Sequence, residues 1–355
     1  MKRPEFSAAD ARFMRRALAL AERGRGTTQP NPVVGAVIVR GGRIAAEGFH
    51  RKAGEGHAEV NALARLRGSA QGTTLYVTLE PCDHTGRTAP CTAALIAARP
   101  GRVVVGCRDP NPIVDGRGIA RLRRAGIRVD VGCLEADCRA AIRAYAVWVR
   151  ERRPFVTLKA AATLDGFIAE RPKRGTARAK AAPRWITSGP ARAAAHALRA
   201  EHDAIVVGAG TIRADNPRLT VRLAGRRPVR QPLRVVLAGR GALPSRAHVF
   251  DRSAPTLRID GGARGRVAPA RALALLAARG VHSVLVEGGA AIAGAFIKAG
   301  LVDRVALFVA PKLLGGGLSV AAGGERSIAR ALRLGPISAS GIGVDLLLSA
   351  DVLRA

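Results

Sequence analysis

His57, Glu59, Cys82 and Cys91 are the side chains of this sequence best suited to act together on a substrate. One imidazole and two thiolates suit a zinc ion and leave a tetrahedral metal one vertex short. That is the arrangement of a catalytic site holding water. Bound to zinc, such a water ionises near neutral pH and becomes a usable nucleophile. Glu59, two residues beyond His57, is placed to shuttle protons beside the metal rather than to ligate it. A closed structural site would need a fourth ligand, and Asp83 or His84 is available. The joint pattern of H-x-E, a strand, then P-C and a cysteine at a helix start favours the catalytic reading.

Helix and strand ends must bring these four residues together. In mid-helix, residues two apart point to different sides. The helix must therefore begin at His57, and Gly54-Glu55-Gly56 supplies the break before it. Cys91 opens a second predicted helix. Both starts offer free N–H groups and partial positive charge, which favour thiolate over thiol. Around them, Ser7-Ala8-Ala9-Asp10 caps a helix running to about Ala21, and Val33–Val39 and Arg43–Gly48 form a hairpin through a glycine turn. Helices follow at 57–66, 91–98 and 118–125, with strands at 74–79, 102–105 and 127–131. The alternation predicts a three-layer α/β domain. One helix over 135–150 closes it, and Glu151-Arg152-Arg153-Pro154 marks the boundary.

A second α/β unit begins at Phe155–Ala160, with further strands at 204–207, 233–237, 283–287 and 304–310 and helices at 190–201, 269–279 and 291–299. Glu287-Gly288-Gly289-Ala290 lies between a strand and a helix, where backbone N–H groups can cradle a pyrophosphate or simply make a turn. Thr211 and Asp215 flank a predicted loop after a buried strand, a common place for cofactor contacts. Two basic segments, 171–183 and 224–232, read as exposed loops, and no internal repeat is present.

The length of 355 residues favours two domains. No apolar stretch is long enough to span a membrane, and the first residues lack the apolar block of a secretory signal, so a cytoplasmic enzyme is expected. The net charge of +32 would suit nucleic acid, but only 7 of the 58 basic residues are lysine, and Ala, Gly, Arg and Pro are enriched throughout. That bias points to GC-rich coding rather than a selected patch. At 3% aromatics there is little to stack on bases, so nucleic acid is not the expected substrate. Five cysteines without an export signal argue against a disulfide framework, and Cys107, Cys133 and Cys138 are expected as small buried residues.

The segments 29–35 (QPNPVVG), 53–59 (AGEGHAE) and 78–91 (TLEPCDHTGRTAPC) resemble the deaminase half of the bifunctional riboflavin-biosynthesis deaminase–reductase family. Eight residues separate Cys82 from Cys91, as in that family, whereas nucleic-acid deaminases carry the shorter P-C-x-x-C. Asp109-Pro110-Asn111-Pro112 and Gly116-Arg117-Gly118 extend the match across the first half. Leu158–Gly166, Ile205–Arg222, Val286–Ala290 and Ala310–Gly316 resemble the reductase half.

The resemblance implies a cytidine-deaminase-like three-layer domain over 1–150 and a dihydrofolate-reductase-like α/β domain over 154–355. The first would be a zinc-dependent pyrimidine deaminase and the second an NADPH-dependent reductase. It implies zinc on His57, Cys82 and Cys91, Glu59 as the catalytic proton carrier, and substrate contacts from Asn31 and Arg87, with a solvated arginine as the lesser alternative for Arg87. Ala161, Trp185, Thr211, Asp215, Gly288 and Gly289 would meet NADPH. Arg199, Leu219 and Arg222 would hold the ribose phosphate, with Glu287 approaching the substrate. Lys159 would donate a proton or anchor the substrate, with structural pairing as the alternative.

The implied substrate is 2,5-diamino-6-ribosylamino-4(3H)-pyrimidinone 5′-phosphate, deaminated and then reduced from ribosyl to ribityl. A homo-oligomer is expected. Three departures stand out: Ala89 where the family usually has proline, about eight extra residues in the 171–183 region, and Pro183 where it has a serine that would bond the substrate. A deaminase with an inactive reductase-like half is the alternative to a bifunctional enzyme, and a nucleic-acid deaminase is a second.

Overall fold

The computed structural model describes residues 5–85, 89–171, 185–225, 230–239, 242–262, 265–323 and 326–354. Backbone contacts divide the chain into two compact units between Arg152 and Arg153.

In the first unit, alternate residues of each strand face opposite ways, and both faces are apolar. Strands β1 (Gly35–Arg40), β2 (Arg43–Phe49), β3 (Thr74–Leu79), β4 (Arg102–Cys107) and β5 (Arg128–Val131) form one sheet in the order β2-β1-β3-β4-β5. β1 runs antiparallel to β2 and β3, and β3, β4 and β5 are parallel. Ala36, Ile38, Leu75, Val77, Val103 and Val105 line one face. They pack against α2 (Ala58–Leu63), α3 (Cys91–Ala98) and α4 (Arg117–Arg124). Val37, Val39, Tyr76 and Val104 line the other, against α1 (Ala8–Glu22) and α5 (Glu135–Ala141). The expected capping box is present, with Ser7 and Asp10 bonded reciprocally at the start of α1. Cys107, Cys133 and Cys138 are buried. The single helix expected over 135–150 is two, α5 and α6 (Arg143–Glu151), because Ile142 is buried at non-helical angles (φ −107°, ψ 17°).

Gly48 lets α2 approach the sheet. A Cβ there would lie 2.4 Å from the carbonyl oxygen of Ala58 and from the nitrogen of Ala62. Gly48→Ala is therefore expected to destabilise this unit by about 1–3 kcal/mol, the usual range for overpacking. It should also weaken metal retention, because α2 carries the residues next to His57. Chemical denaturation and metal analysis check both.

The second unit contains an eight-stranded sheet in the order β10-β9-β8-β11-β6-β12-β15-β14. Its strands are β6 (Phe155–Thr163), β8 (Ala204–Gly208), β9 (Leu233–Gly239), β10 (Thr256–Asp260), β11 (Ser283–Val286), β12 (Arg304–Ala310), β14 (Ser338–Ile342) and β15 (Asp345–Asp351). β10 through β12 in that order are parallel neighbours, while β15 and β14 add antiparallel. β7 (Phe167–Ala169) and β13 (Leu318–Ser319) pair separately. Helices α7 (Gly189–Ala200), α9 (Pro269–Ala277) and α10 (Ala290–Lys298) match expected segments. The segment after β8 is a helix, α8 (Ala209–Asp215), where a loop was expected. β10 and the β14–β15 hairpin were not expected either. Asp260 is exposed, as is nearly all of Ser338–Ile342, so these strands lack the apolar pattern that marks an interior strand.

Candidate active sites

The first site is assembled at one end of the five-stranded sheet. His57 is the N-cap of α2, Cys82 follows β3, and Cys91 is the first residue of α3. His57 Nδ1 lies 3.2 Å from Cys91 Sγ and 3.5 Å from Cys82 Sγ, and the three ligand atoms all fall within 4.8 Å of one another. Zinc–nitrogen and zinc–sulfur bonds of about 2.0–2.3 Å require ligand atoms at roughly such separations, so this donor set fits a zinc ion. The backbone N–H of Cys91 donates to Cys82 Sγ at 3.4 Å. A hydrogen bond from Cys91 is the largest influence holding the Cys82 thiol down, to about 4, and the same contact pushes Cys91 up. His57 is raised, chiefly by its bond to Cys82.

Glu59, in the first turn of α2, is only 3% exposed. Burial above all, then the charge of Cys82, pushes its carboxyl up to about 7, against the opposing pull of His57. His57, Glu59 and Cys82 open into a cavity of about 340 Å³ shared with Asn31, His50 and Tyr145. Asn31 Nδ2 lies 3.1 Å from His50 Nε2. Because His50 Nδ1 is 3.2 Å from the carbonyl oxygen of Gly56, its proton belongs on Nδ1 and Asn31 donates to Nε2. That bond fixes the Asn31 amide at the wall. Arg87 lies outside the described residues.

Sequence reasoning missed His50, Tyr145 and Trp148 as lining residues. Tyr145 and Trp148 stand three apart on α6, a helical spacing in a chain poor in aromatics.

The second constellation gathers at the end of β11, beside the middle of β6. Val286 of β11 pairs with Leu158 of β6 and Val206 of β8. Glu287 and Lys159, each one residue further on, are consequently neighbours. The carboxylate of Glu287 receives Arg199 Nε at 2.6 Å and Arg199 Nη2 at 2.7 Å, with Lys159 Nζ at 3.8 Å. Burial would raise this carboxyl, but the charges of Lys159 and Arg199 outweigh it and hold it at about 2. Arg199 Nη1 also reaches the carbonyl of Thr220, so most of its donors are engaged within the chain. Arg222 is exposed, and its Nη1 donates to Thr220 Oγ1. Leu219 is 2% exposed and its side chain packs in an apolar cluster with Ile205 and Val207, so only its backbone can face a ligand.

Gly289 is the N-cap of α10 and offers no side-chain cap to the first turn, where the N–H of Ile292 bonds back to the Gly289 carbonyl. A Cβ on Gly289 would sit 3.9 Å from Thr211 Oγ1 of α8. An uncapped helix start beside a hydroxyl fits a dinucleotide phosphate. Asp215 is exposed at the far end of α8, and Ala161 is half-buried on β6. Trp185 is 60% exposed, its ring 4.8 Å from the Arg192 guanidinium and its carbonyl bonded to Lys312 Nζ. Pro183 and residues 172–184 lie outside the described residues.

Residues 7–107 match the cytidine and deoxycytidylate deaminase zinc-binding region, and residues 154–348 match the RibD C-terminal domain. A riboflavin biosynthesis protein RibD from Aquifex aeolicus is 39% identical over 356 aligned positions, covering 96% of this chain and 97% of that protein. The chain belongs to the RibD family. Solved RibD structures agree. That from Acinetobacter baumannii superimposes with a TM-score of 0.81 at 35% identity, covering 98% of this chain and 99% of its own. A diaminohydroxyphosphoribosylaminopyrimidine deaminase/5-amino-6-(5-phosphoribosylamino)uracil reductase from Thermotoga maritima gives 0.83 at 36%, covering 97% and 99%. As a RibD family member, the chain is a bifunctional deaminase and reductase of riboflavin biosynthesis that uses zinc and NADPH. Its fold joins a cytidine-deaminase-like domain to a RibD reductase domain.

Proposed function

We propose that residues 1–150 deaminate 2,5-diamino-6-ribosylamino-4(3H)-pyrimidinone 5′-phosphate and that residues 154–355 reduce the product's ribosyl group. The convergence of His57, Cys82 and Cys91 on one point, with buried Glu59 beside them in the same cavity, carries the first half of this reading. His57, Cys82 and Cys91 hold the metal. Zinc, when bound, supplies Lewis-acid activation of the attacking water. Glu59 takes a proton from that water and returns protons to the ring nitrogen and then to the departing amine. Water adds to the amino-bearing carbon and ammonia leaves. Asn31, oriented by His50, binds the ring, and Arg87 is assigned to the phosphate.

In the second half, Gly288, Gly289 and Thr211 hold the cofactor phosphates, with Ala161, Trp185 and Asp215 along the rest of it. NADPH supplies the hydride. Lys159, steadied by Glu287, gives the proton that the opening ribose oxygen takes up as C1′ accepts hydride. Arg222, the Leu219 backbone and the remaining donors of Arg199 meet the ribose phosphate. The reading puts the enzyme in the cytoplasm, where thiols stay reduced, and makes it a homo-oligomer. Among the described residues no helix is long and apolar enough to cross a membrane.

One experiment separates the halves. With pre-deaminated substrate, the purified chain is expected to oxidise NADPH well above background. A chelator should abolish ammonia release while leaving that oxidation intact. NADPH turnover at background would overturn the bifunctional assignment in the half where the sequence departs from its family around Pro183.

A further inference from the structure

We propose that Glu80 is a positioning residue of the deaminase, its carboxylate tying down both ends of the loop that carries Asp109 and Asn111 to the pocket wall. Glu80 follows β3 and is 3% exposed. Its Oε2 accepts the backbone N–H of Asp109 at 3.2 Å and of Gly116 at 2.9 Å, and its Oε1 accepts that of Ile119 at 3.2 Å. The first of these donors opens the β4–α4 connection. The second is the N-cap of α4, and the third lies in its first turn. One buried carboxylate thus closes the connection into an arch and caps the helix that ends it. Among the described residues no arginine, lysine or histidine pairs with Glu80, so its acceptors are met by the loop itself.

The arch presents chemistry to the pocket. Asp109 and Asn111 both line the cavity that holds His57 and Glu59. Asp109 Oδ1 accepts the N–H of Asn111 at 2.8 Å and the hydroxyl of Tyr145 at 3.1 Å, while Asn111 Oδ1 accepts from Ile113 N–H at 3.1 Å. These bonds fix the two side chains relative to the loop, and the Glu80 carboxylate ties both ends of the loop to the chain that follows β3. Glu80 does not itself need to touch substrate. It acts through the arch, on how well the ring is held rather than on how fast it reacts.

This inference rests on the reading of the cavity as the deaminase pocket. Glu80→Gln keeps the shape but turns one acceptor into an N–H₂ group facing backbone N–H groups. The expected result is a KM for the pyrimidine phosphate raised about tenfold or more, kcat within about threefold, and one zinc per chain, as for loss of uniform binding. Amide hydrogen exchange across residues 109–119 should quicken at the same time. Unchanged KM with unchanged exchange would overturn the proposal, and so would loss of zinc and kcat together at unaltered KM.

Should Glu80→Gln not fold, Gly116→Ala loosens the same anchor from outside. Gly116 sits at φ +88°, and a Cβ there would come 2.3 Å from Arg108 Nη2. It should reproduce the KM rise, and an unaltered KM there also sinks the idea. Exchange is read whether or not the wild-type chain releases ammonia, so a failure of the pocket assignment is seen separately.

Discussion

Replacing Glu59 by alanine is expected to lower kcat for ammonia release by about 10²–10⁴-fold, the usual worth of a positioned general acid–base group. The zinc content should stay at one per chain and NADPH oxidation should be unchanged. The expectation follows from where Glu59 stands. It opens the first turn of α2 two residues beyond His57, outside the set of three atoms that converge for the metal, yet it lines the same cavity. Its burial disfavours the charged form, so a proton is held and surrendered with little cost near neutrality. Glu59→Gln keeps the volume and the hydrogen-bonding shape but cannot cycle a proton, and should lose nearly as much. Persistent turnover in both variants would remove Glu59 from the mechanism, whereas loss of zinc along with activity would make it a ligand.

The metal cluster was legible because it depends on local signals. A glycine break before His57, a strand before Pro81 and a helix start at Cys91 are each written within a few residues of the ligand they place. The cavity opposite was not. His50 reaches it from the end of β2, and Tyr145 and Trp148 from α6, through packing that no spacing between such distant segments encodes. The same divide runs through the second domain. Its interior parallel strands read as continuous apolar runs, while β14, exposed along nearly all its length, carries no such pattern and is a strand through its pairing with β15. Leu219 shows the limit of carrying a contact over by resemblance. Its side chain belongs to the core, which leaves only the backbone to meet a ligand. Glu287 was expected beside the substrate. What the sequence could not tell is that its carboxylate is already held by Arg199 and approached by Lys159, from elements 88 and 128 residues away.

That arrangement makes Glu287 the second position of large effect. Glu287→Ala would leave the Arg199 guanidinium and the Lys159 ammonium without their shared counter-ion, at side-chain exposures of 14% and 16%. Removing one partner of a buried ion pair typically costs about 3–5 kcal/mol, because the remaining charge stays desolvated. Denaturant unfolding of the reductase part should show a loss of that order, with the deaminase transition unmoved. Activity should fall further than stability explains, since displacement of a positioned group by about 1 Å can cost a hundredfold in rate.

The pH dependence has a definite sign. The Glu287 carboxyl is held at about 2, below its ordinary value, so its pairing stabilises the domain fully above the ordinary carboxylate range. That contribution is lost as pH falls from the ordinary carboxylate value toward about 2. Wild type should therefore lose reductase-domain stability across that acid window, and Glu287→Ala should lose less of it, so the gap between them narrows with acid. A gap that stays constant from neutral pH to pH 3 would mean that Glu287 supports Lys159 and Arg199 by packing rather than by charge. Lys159 would then have no fixed partner to steady the proton it is assigned to deliver.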